Sequence, residues 1–349
     1  AVSIGQETEP WVLFYASYDE GLWTQPVDIM FSPDNGYVRY PRAIVDSEDR
    51  LHLIWSGPGS GAFEMLYYSW VLATDAWSVM SWATPVPMAI GTLQSDIRAD
   101  PEGDLHLVYG SGTDDLGICH QLSQDHGETW RTRMCIPRPI IAREDEYETR
   151  PRLAIDSKGT LYVVWVLDDY STRSHLFYSG RAVCFAKSDD GGLTWPDVQV
   201  IEEIDSRDEI YAGTREQPEW INIVVDGKDR IHITWIGGPN MERYHQWSDD
   251  GGAKWSARQI ISTSGGYNNH YGVQAVEDAV HVVWPTLRGV EYSHWQNGRW
   301  SGPVLLDERV GGDPHYSDLV LAHGNELHAV WQDYSGNTES VLSEQGRIF

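Results

Sequence analysis

Six near-copies of one five-residue pattern constrain this chain more than any other feature: aliphatic, His or Tyr, aliphatic, small β-former, Trp or Tyr. The copies are Leu51 to Trp55, Leu105 to Tyr109, Leu161 to Trp165, Ile231 to Trp235, Val280 to Trp284 and Leu327 to Trp331. Most are preceded by an apolar run and a tight turn, as in Ala43 to Asp46 before Ser47 to Arg50, or Leu153 to Asp156 before Ser157 to Gly159. That reads as strand, turn, strand. Second positions of successive copies are 54, 56, 70, 49 and 47 residues apart, room for one four-stranded sheet per unit, which suits radial repetition better than a two-sheet sandwich. With 17 Trp, 18 Tyr and 33 Gly against 6 Phe, the composition is one of strands and turns. The expected fold is all-β: a single six-bladed β-propeller domain over residues 1–349, with four-stranded antiparallel blades and a ring closed by the N-terminal strands.

A second signature follows the repeat. Ser123 to Trp130 and Ser188 to Trp195 fit S-x-D-x-G-x-T-W in full, and Ser248 to Trp255 departs only at the Thr. Asp and Gly supply a turn, the carboxylate accepts backbone N–H groups, and Trp anchors the hairpin by burying a large ring. This is the Asp-box, or BNR repeat, and the chain resembles the sialidase superfamily across all six units. The resemblance implies that the box lies on an outer hairpin away from the substrate, so Asp125, Asp190 and Asp250 are expected to be structural. Weaker hairpins, Tyr18 to Trp23 and Gln296 to Trp300, fit the same place; the first precedes the first full unit, hence the expected closure by N-terminal strands, although Val341 to Phe349 reads as a third strand as well. The long interval also inserts a charged segment between Ile201 and Gln217, expected to be a loop over a binding face.

The formal charge of −27 and a pI near 4.7 argue against nucleic acid and anionic membranes, which repel such a field. No run of 18 apolar residues exists, so membrane insertion is not expected. Ala1 to Pro10 does not read as a signal peptide, as would equally be true of a mature secreted or cell-surface chain, which is the expected localisation. The three cysteines, Cys119, Cys135 and Cys184, cannot build a disulfide framework and are expected mostly unbridged; Cys119 and Cys135 flank one hairpin and are the pair placed to join. No CxxC or Cys/His metal spacing occurs, so neither metal nor cofactor is expected, and the chain is read as a monomer whose partner is a glycan.

Propeller ligands lie at the ends of the innermost strands. Counting back twelve residues from each repeat His or Tyr reaches Tyr40, Gln94, Arg150, Trp220 and Tyr316, and a shorter turn brings Tyr271 into register. Neighbouring positions are Arg39, Arg42, Asp96, Glu148, Arg152, Glu219, Asn222, His270, His315 and Asp318. Guanidinium forks suit a sugar carboxylate and aromatic faces suit sugar rings, so this rim fits an acidic glycan. By contrast His52, His106, His232, His281 and His328 share their strand position with Tyr162 and are read as packing residues, because Tyr would not replace a metal ligand in a shared role.

Three stretches resemble sialidase active-site motifs. Arg39-Tyr-Pro-Arg42-Ala43 is similar to the R-I-P-A stretch whose arginine binds the substrate carboxylate; His315-Tyr-Ser-Asp-Leu319 is similar to the Y-S-D-L stretch with the tyrosine nucleophile; and Arg288 stands where a third arginine would fall. The resemblance implies Tyr316 as nucleophile with Glu219 as its carboxylate partner. It also implies an arginine after the Glu219 strand and its partner, which the count puts at Trp235, the repeat aromatic, and an acid/base Asp after the first blade, where Gly57 to Glu64 offers only Glu64. Chemically, a carboxylate acting as base makes a phenol nucleophilic while a general acid protonates the leaving oxygen. Three functions fit: a sialidase-like glycoside hydrolase acting on an acidic or branched glycan, a polysaccharide lyase in which His and Tyr serve as base and acid while arginine neutralises a uronate, and a non-catalytic glycan-binding propeller. The paired His-Tyr motifs at 270 and 315 favour the second, and the absent arginine and Asp the third.

Overall fold

The computed structural model describes residues 2–5, 12–19, 22–31, 37–59, 64–90, 94–111, 117–144, 146–169, 180–203, 218–238, 240–263, 270–308, 314–322, 326–333 and 341–348. Two compact units are distinguished, residues 1–165 with 186–199 and residues 166–185 with 200–349. Among the described residues their regular structure is strand apart from two 3-10 turns, Ala73–Asp75 and Val79–Ser81, and no helix is long and apolar enough to cross a membrane.

Among the described residues seven antiparallel sheets of three or more strands follow one another along the chain. The first joins Val2–Gly5 (β1), Val12–Tyr15 (β2) and Val27–Phe31 (β5), with a small hairpin of Tyr18–Asp19 (β3) and Leu22–Trp23 (β4) beside it in sequence. The second has Arg39–Val45 (β6), Arg50–Pro58 (β7), Glu64–Leu72 (β8) and Val86–Ile90 (β9); the third has Ser95–Ala99 (β10), Leu105–Ser111 (β11), Gly117–Ser123 (β12) and Met134–Cys135 (β13). Glu146–Ile155 (β14), Leu161–Asp169 (β15), Gly180–Ser188 (β16) and Val198–Glu203 (β17) make the fourth. The fifth has Glu219–Val225 (β18), Ile231–Gly237 (β19), Glu242–Ser248 (β20) and Gln259–Ser262 (β21). In the sixth, Gly272–Val276 (β22), Ala279–Thr286 (β23) and Gly289–Gln296 (β24) share an outer edge split into Arg299–Trp300 (β25) and Val304–Glu308 (β26). Pro314–Ala322 (β27), Glu326–Asp333 (β28) and Val341–Ile348 (β29) make the last. Each is an up-and-down meander of the kind that serves as a propeller blade.

Two expectations are corrected by this pairing. There are seven such sheets where the repeat predicts six, and the N-terminal strands make a sheet of their own while β29 is the third strand of the last one. The extra sheet escapes the pattern because Trp11, Val12 and Phe14 stand where the other copies have an aliphatic, His or Tyr, and a small β-former. Its Leu13 and Ile29 nevertheless pack against Leu53 and Trp55 of the second sheet. Core residues elsewhere likewise join neighbouring sheets: Ile54, Leu66 and Tyr68 meet Ile97, Leu107 and Tyr109. The charged insertion falls mostly at 204–217, outside the described residues.

Hydrogen bonding explains why the second repeat position takes His or Tyr. In four sheets an Asp ends the first strand and closes the turn: Oδ1 of Asp46, Asp100, Asp156 and Asp226 accepts two backbone N–H groups, at 2.8–3.0 Å. Oδ2 then faces the repeat position, taking His52 Nε2 at 3.1 Å, His106 Nε2 at 3.3 Å, the Tyr162 hydroxyl at 2.9 Å and His232 Nε2 at 3.2 Å. Both side chains donate to a carboxylate, so either fits. The relay continues outward in the fifth sheet: Trp300 Nε1–H, a donor only, points at His245 Nδ1 at 3.1 Å, so His245 Nε2–H donates to His232 Nδ1 at 3.0 Å, and His232 Nε2–H to Asp226. Both rings are therefore neutral, with both nitrogens engaged.

The outer hairpins are built as their spacing demands. The Ser oxygen at 123, 188 and 248 donates to the Asp two residues on and accepts the Gly N–H four residues on. Asp125 and Asp190 accept both the N–H and the hydroxyl of the Thr, whereas Asp250 keeps only the N–H of Lys254, at 2.8 Å. The main-chain bond survives the missing Thr. In the third sheet Cys119 lies opposite Cys135 in register, and the two form a disulfide, contrary to the expectation that the cysteines are mostly unbridged; Cys184 is buried and unbridged. Titration of the unfolded chain without reductant is expected to yield one thiol, and reduction to lower stability by about 3 kcal/mol for a loop of this length; three thiols in the unreduced chain would overturn the pairing.

Candidate functional site

Three of the six inner-strand positions found by counting share an unusual backbone. Tyr40, Arg150 and Trp220 have φ of 54°, 54° and 46°, left-handed values that other non-glycine residues of this chain adopt at turns. In β6, β18 and β27 one extra residue is accommodated, between Arg39 and Arg42, Glu219 and Asn222, and Pro314 and Ser317. Such bulges re-aim side chains at the end of a strand, and strained backbone of this kind concentrates at binding sites.

In the first unit two groups of side chains stand at these ends. The Arg39 guanidinium lies 4.5 Å over the ring of Tyr37, and the Tyr37 hydroxyl is hydrogen-bonded to Glu64, the first residue of β8. Burial, with Glu64 second, pushes Tyr37 up to about 12, and burial raises Glu64 above the usual carboxylate range. The buried Oε2 of Glu64 has no hydrogen-bond partner among the described residues. In the other group Glu148 receives Arg138 Nε at 2.8 Å and is raised by burial, while Arg152 reaches Gln94 at 3.4 Å and Arg150 is buried. Asp96 is fully buried and acts as a staple: its carboxylate accepts Ile97 N–H and Leu153 N–H, at 3.1 and 3.0 Å, with Arg98 at 3.3 Å. Arg42 is half-buried on β6.

In the second unit Glu219 and Trp220 open β18, and Trp220 meets His270 edge-on at 5.9 Å. His270 Nδ1 lies 3.1 Å from the Ser317 carbonyl, while Ser317 N–H donates to the His270 carbonyl at 3.2 Å. A carbonyl only accepts, so Nδ1 carries the proton and the neutral ring has its lone pair on Nε2. Tyr271 is fully buried and its hydroxyl donates to Thr234 at 2.9 Å. Arg288 lies exposed in the turn between β23 and β24. His315 and Tyr316 belong to β27, but their side chains lie outside the described ones, as does any pairing of Tyr316 with Glu219.

Arg243 was not anticipated. It is 0 % exposed on β20, and Nε, Nη1 and Nη2 all lack a hydrogen-bond partner among the described residues. The rings of Trp284 and Tyr271 lie 5.4 and 5.8 Å from the guanidinium, and Glu291 also acts on it through its charge. Burial pulls Arg243 down to about 10, which leaves it charged at neutral pH. It pairs with Ile236, the residue after the repeat aromatic, and the equivalent residues opposite Ser56, Gly110 and Pro285 are Leu66, Ile118 and Val290. Stepping back five residues from Ser123, Ser188 and Ser248 gives Ile118, Val183 and Arg243. One cation therefore replaces an aliphatic at a position that is otherwise 0–1 % exposed. A buried guanidinium without a hydrogen bond among the described residues costs several kcal/mol, which the two rings and the charge of Glu291 offset only in part, since burial remains the larger influence on it, so packing does not account for it.

No family model and no curated sequence matches the chain. Solved structures do share its fold. A polysaccharide lyase described as an ulvan lyase, bound to -[GlcA(1-4)Rha3S]-, aligns with TM-score 0.65 at 12 % identity over 96 % of this chain and 86 % of its own. The NanB sialidase of Streptococcus pneumoniae aligns with TM-score 0.59 at 12 % identity over 89 % and 68 %. A protein of unknown function from Dyadobacter fermentans gives 0.61 at 13 % over 89 % and 94 %. The chain thus has the all-β architecture of carbohydrate-active proteins that include both hydrolases and lyases.

Proposed function

We propose that the protein is a glycan-cleaving enzyme that holds the anionic group of an acidic sugar on Arg243 and breaks the chain by β-elimination. The observation that carries the reading is the unpartnered guanidinium in a core position. A carboxylate satisfies its forked donors, for which the described residues supply no acceptor, and neutralising a uronate acidifies the hydrogen on the adjoining ring carbon. His270 Nε2 is the base that takes this proton; the C–O bond to the leaving sugar breaks as the ring double bond forms, and Tyr316 is proposed to protonate the leaving oxygen. Because Arg243 is closed off from solvent, the anion reaches it only once neighbouring side chains part.

Hydrolysis is the second reading, and the Tyr37 and Glu64 pair favours it, since a carboxyl raised by burial is a competent proton donor to a glycosidic oxygen. Incubation with uronate polymers is expected to produce an unsaturated product that absorbs in the ultraviolet, with no release from aryl glycosides. His270→Ala should lower that rate about a hundredfold or more. Aryl glycoside turnover without the unsaturated product would establish hydrolysis instead, and binding without turnover would establish a lectin-like role.

A further inference from the structure

The second sheet carries a surplus tryptophan. In the third to fifth sheets the connection from third to fourth strand ends in one anchoring Trp, at 130, 195 and 255. In the second sheet that part falls to Trp82, which is 8 % exposed and donates Nε1–H to the Ala76 carbonyl at 3.1 Å. Trp77, five residues earlier between the two 3-10 turns, is 66 % exposed, and Met80 beside it is 89 % exposed. The Trp77 ring is not loose: its Nε1–H donates to the Thr74 carbonyl at 3.0 Å. Its one polar atom is thereby satisfied within its own turn, and the exposed part is an oriented apolar face.

We propose that Trp77, flanked by Met80, is a secondary glycan-binding platform that stacks the C–H face of an uncharged sugar in a polysaccharide chain; this rests on the glycan-cleaving reading given above. Ring faces of this kind bind flat apolar surfaces whose rims are polar, as pyranoses are. Charge selects the occupant. No Lys or Arg occurs between Arg50 and Arg98, and Arg50, opposite Leu72 in register, is engaged by Glu128 at 3.1 Å and lies over the Trp70 ring, so an anionic group finds only a committed cation beside the platform. A second copy of a chain with net charge −27 is disfavoured by self-repulsion. Position separates it from Glu64, the proton donor of the hydrolytic reading: the platform follows Leu72, the last residue of β8, whereas Glu64 is the first, roughly 25 Å away along the strand.

The test uses native gels containing hydroxyethylcellulose, glucomannan or galactan, with the full chain carrying Arg243→Met so that retention at the cleavage site does not intrude. Retardation in at least one neutral polymer is expected, and the additional change Trp77→Ala should weaken it about tenfold or more, with Trp77→Phe restoring part of it. Equal retardation with and without Trp77→Ala would overturn the proposal, as would the absence of retardation in every neutral polymer. Sedimentation showing a dimer that Trp77→Ala dissolves would assign the patch to self-association and overturn it too. Turnover of uronate polymers by the chain with Arg243 intact is read separately: product without retardation removes the platform alone, and retardation without product removes the cleavage reading alone.

Discussion

Arg243→Met is expected to give a chain more stable than the native one and almost without activity. Methionine fills the volume, and its thioether needs no hydrogen bond, so the penalty of burying the guanidinium disappears and outweighs the lost attraction to Glu291. Replacing buried charges by apolar residues gains on the order of 1–4 kcal/mol in cases of this kind, and the four aliphatic residues at the equivalent positions show that the site accepts such a side chain. Turnover should fall by about a hundredfold to a thousandfold, the usual effect of removing one preorganised group that stabilises developing charge. Urea unfolding and product formation measured on the same sample check both halves. A destabilised Arg243→Met with full activity would show that the guanidinium is structural, and the proposed anion site would be wrong.

Acid should destabilise the fold well above the range in which its carboxylates titrate. Burial is the main cause that holds His120 at about 3 and His281 at about 4, and it lowers His52, His106, His232 and His245 below the ordinary 6.5. These rings are uncharged in the folded chain. The unfolded chain binds a proton on each below about 6.5, so their contribution is complete above that pH and declines as the pH falls toward the depressed folded values. Each such histidine adds a slope of roughly 1.4 kcal/mol per pH unit within its window. The urea midpoint is therefore expected to drop steeply from about pH 6.5 downward, and a midpoint that stayed flat to about pH 4.5 would contradict the neutral relays.

Where local pattern and backbone coincide, the chain could be read directly. Counting from the repeat found Tyr40, Arg150 and Trp220, because their strained φ recurs at a constant distance from the second strand. The box Asp and the repeat His were legible as structural because each recurs at a fixed place in its copy. Arg243 is not marked by the pattern that opens each copy; it stands out only when the copies are aligned on Ser123, Ser188 and Ser248, where its counterparts are Ile118 and Val183. The Tyr37 and Glu64 contact joins residues across a connection whose course no local pattern reveals. Asp96 looked like a rim residue since its neighbours are, but an inward turn of one side chain makes it a staple between β10 and β14.

The equivalence of Leu66, Ile118, Val183, Arg243 and Val290 bears on how such a molecule can acquire chemistry. Similar modules hold themselves together by local devices, a turn Asp with its relay in four of them and a box hairpin in three, so a costly residue in one of them is borne by that module and need not be compensated throughout the chain. Specialisation then consists in breaking the symmetry once, at a single copy, while the sister copies go on meeting the demands of folding. A duplicated scaffold can in this way try a charge in its interior that an unrepeated core of the same size would reject.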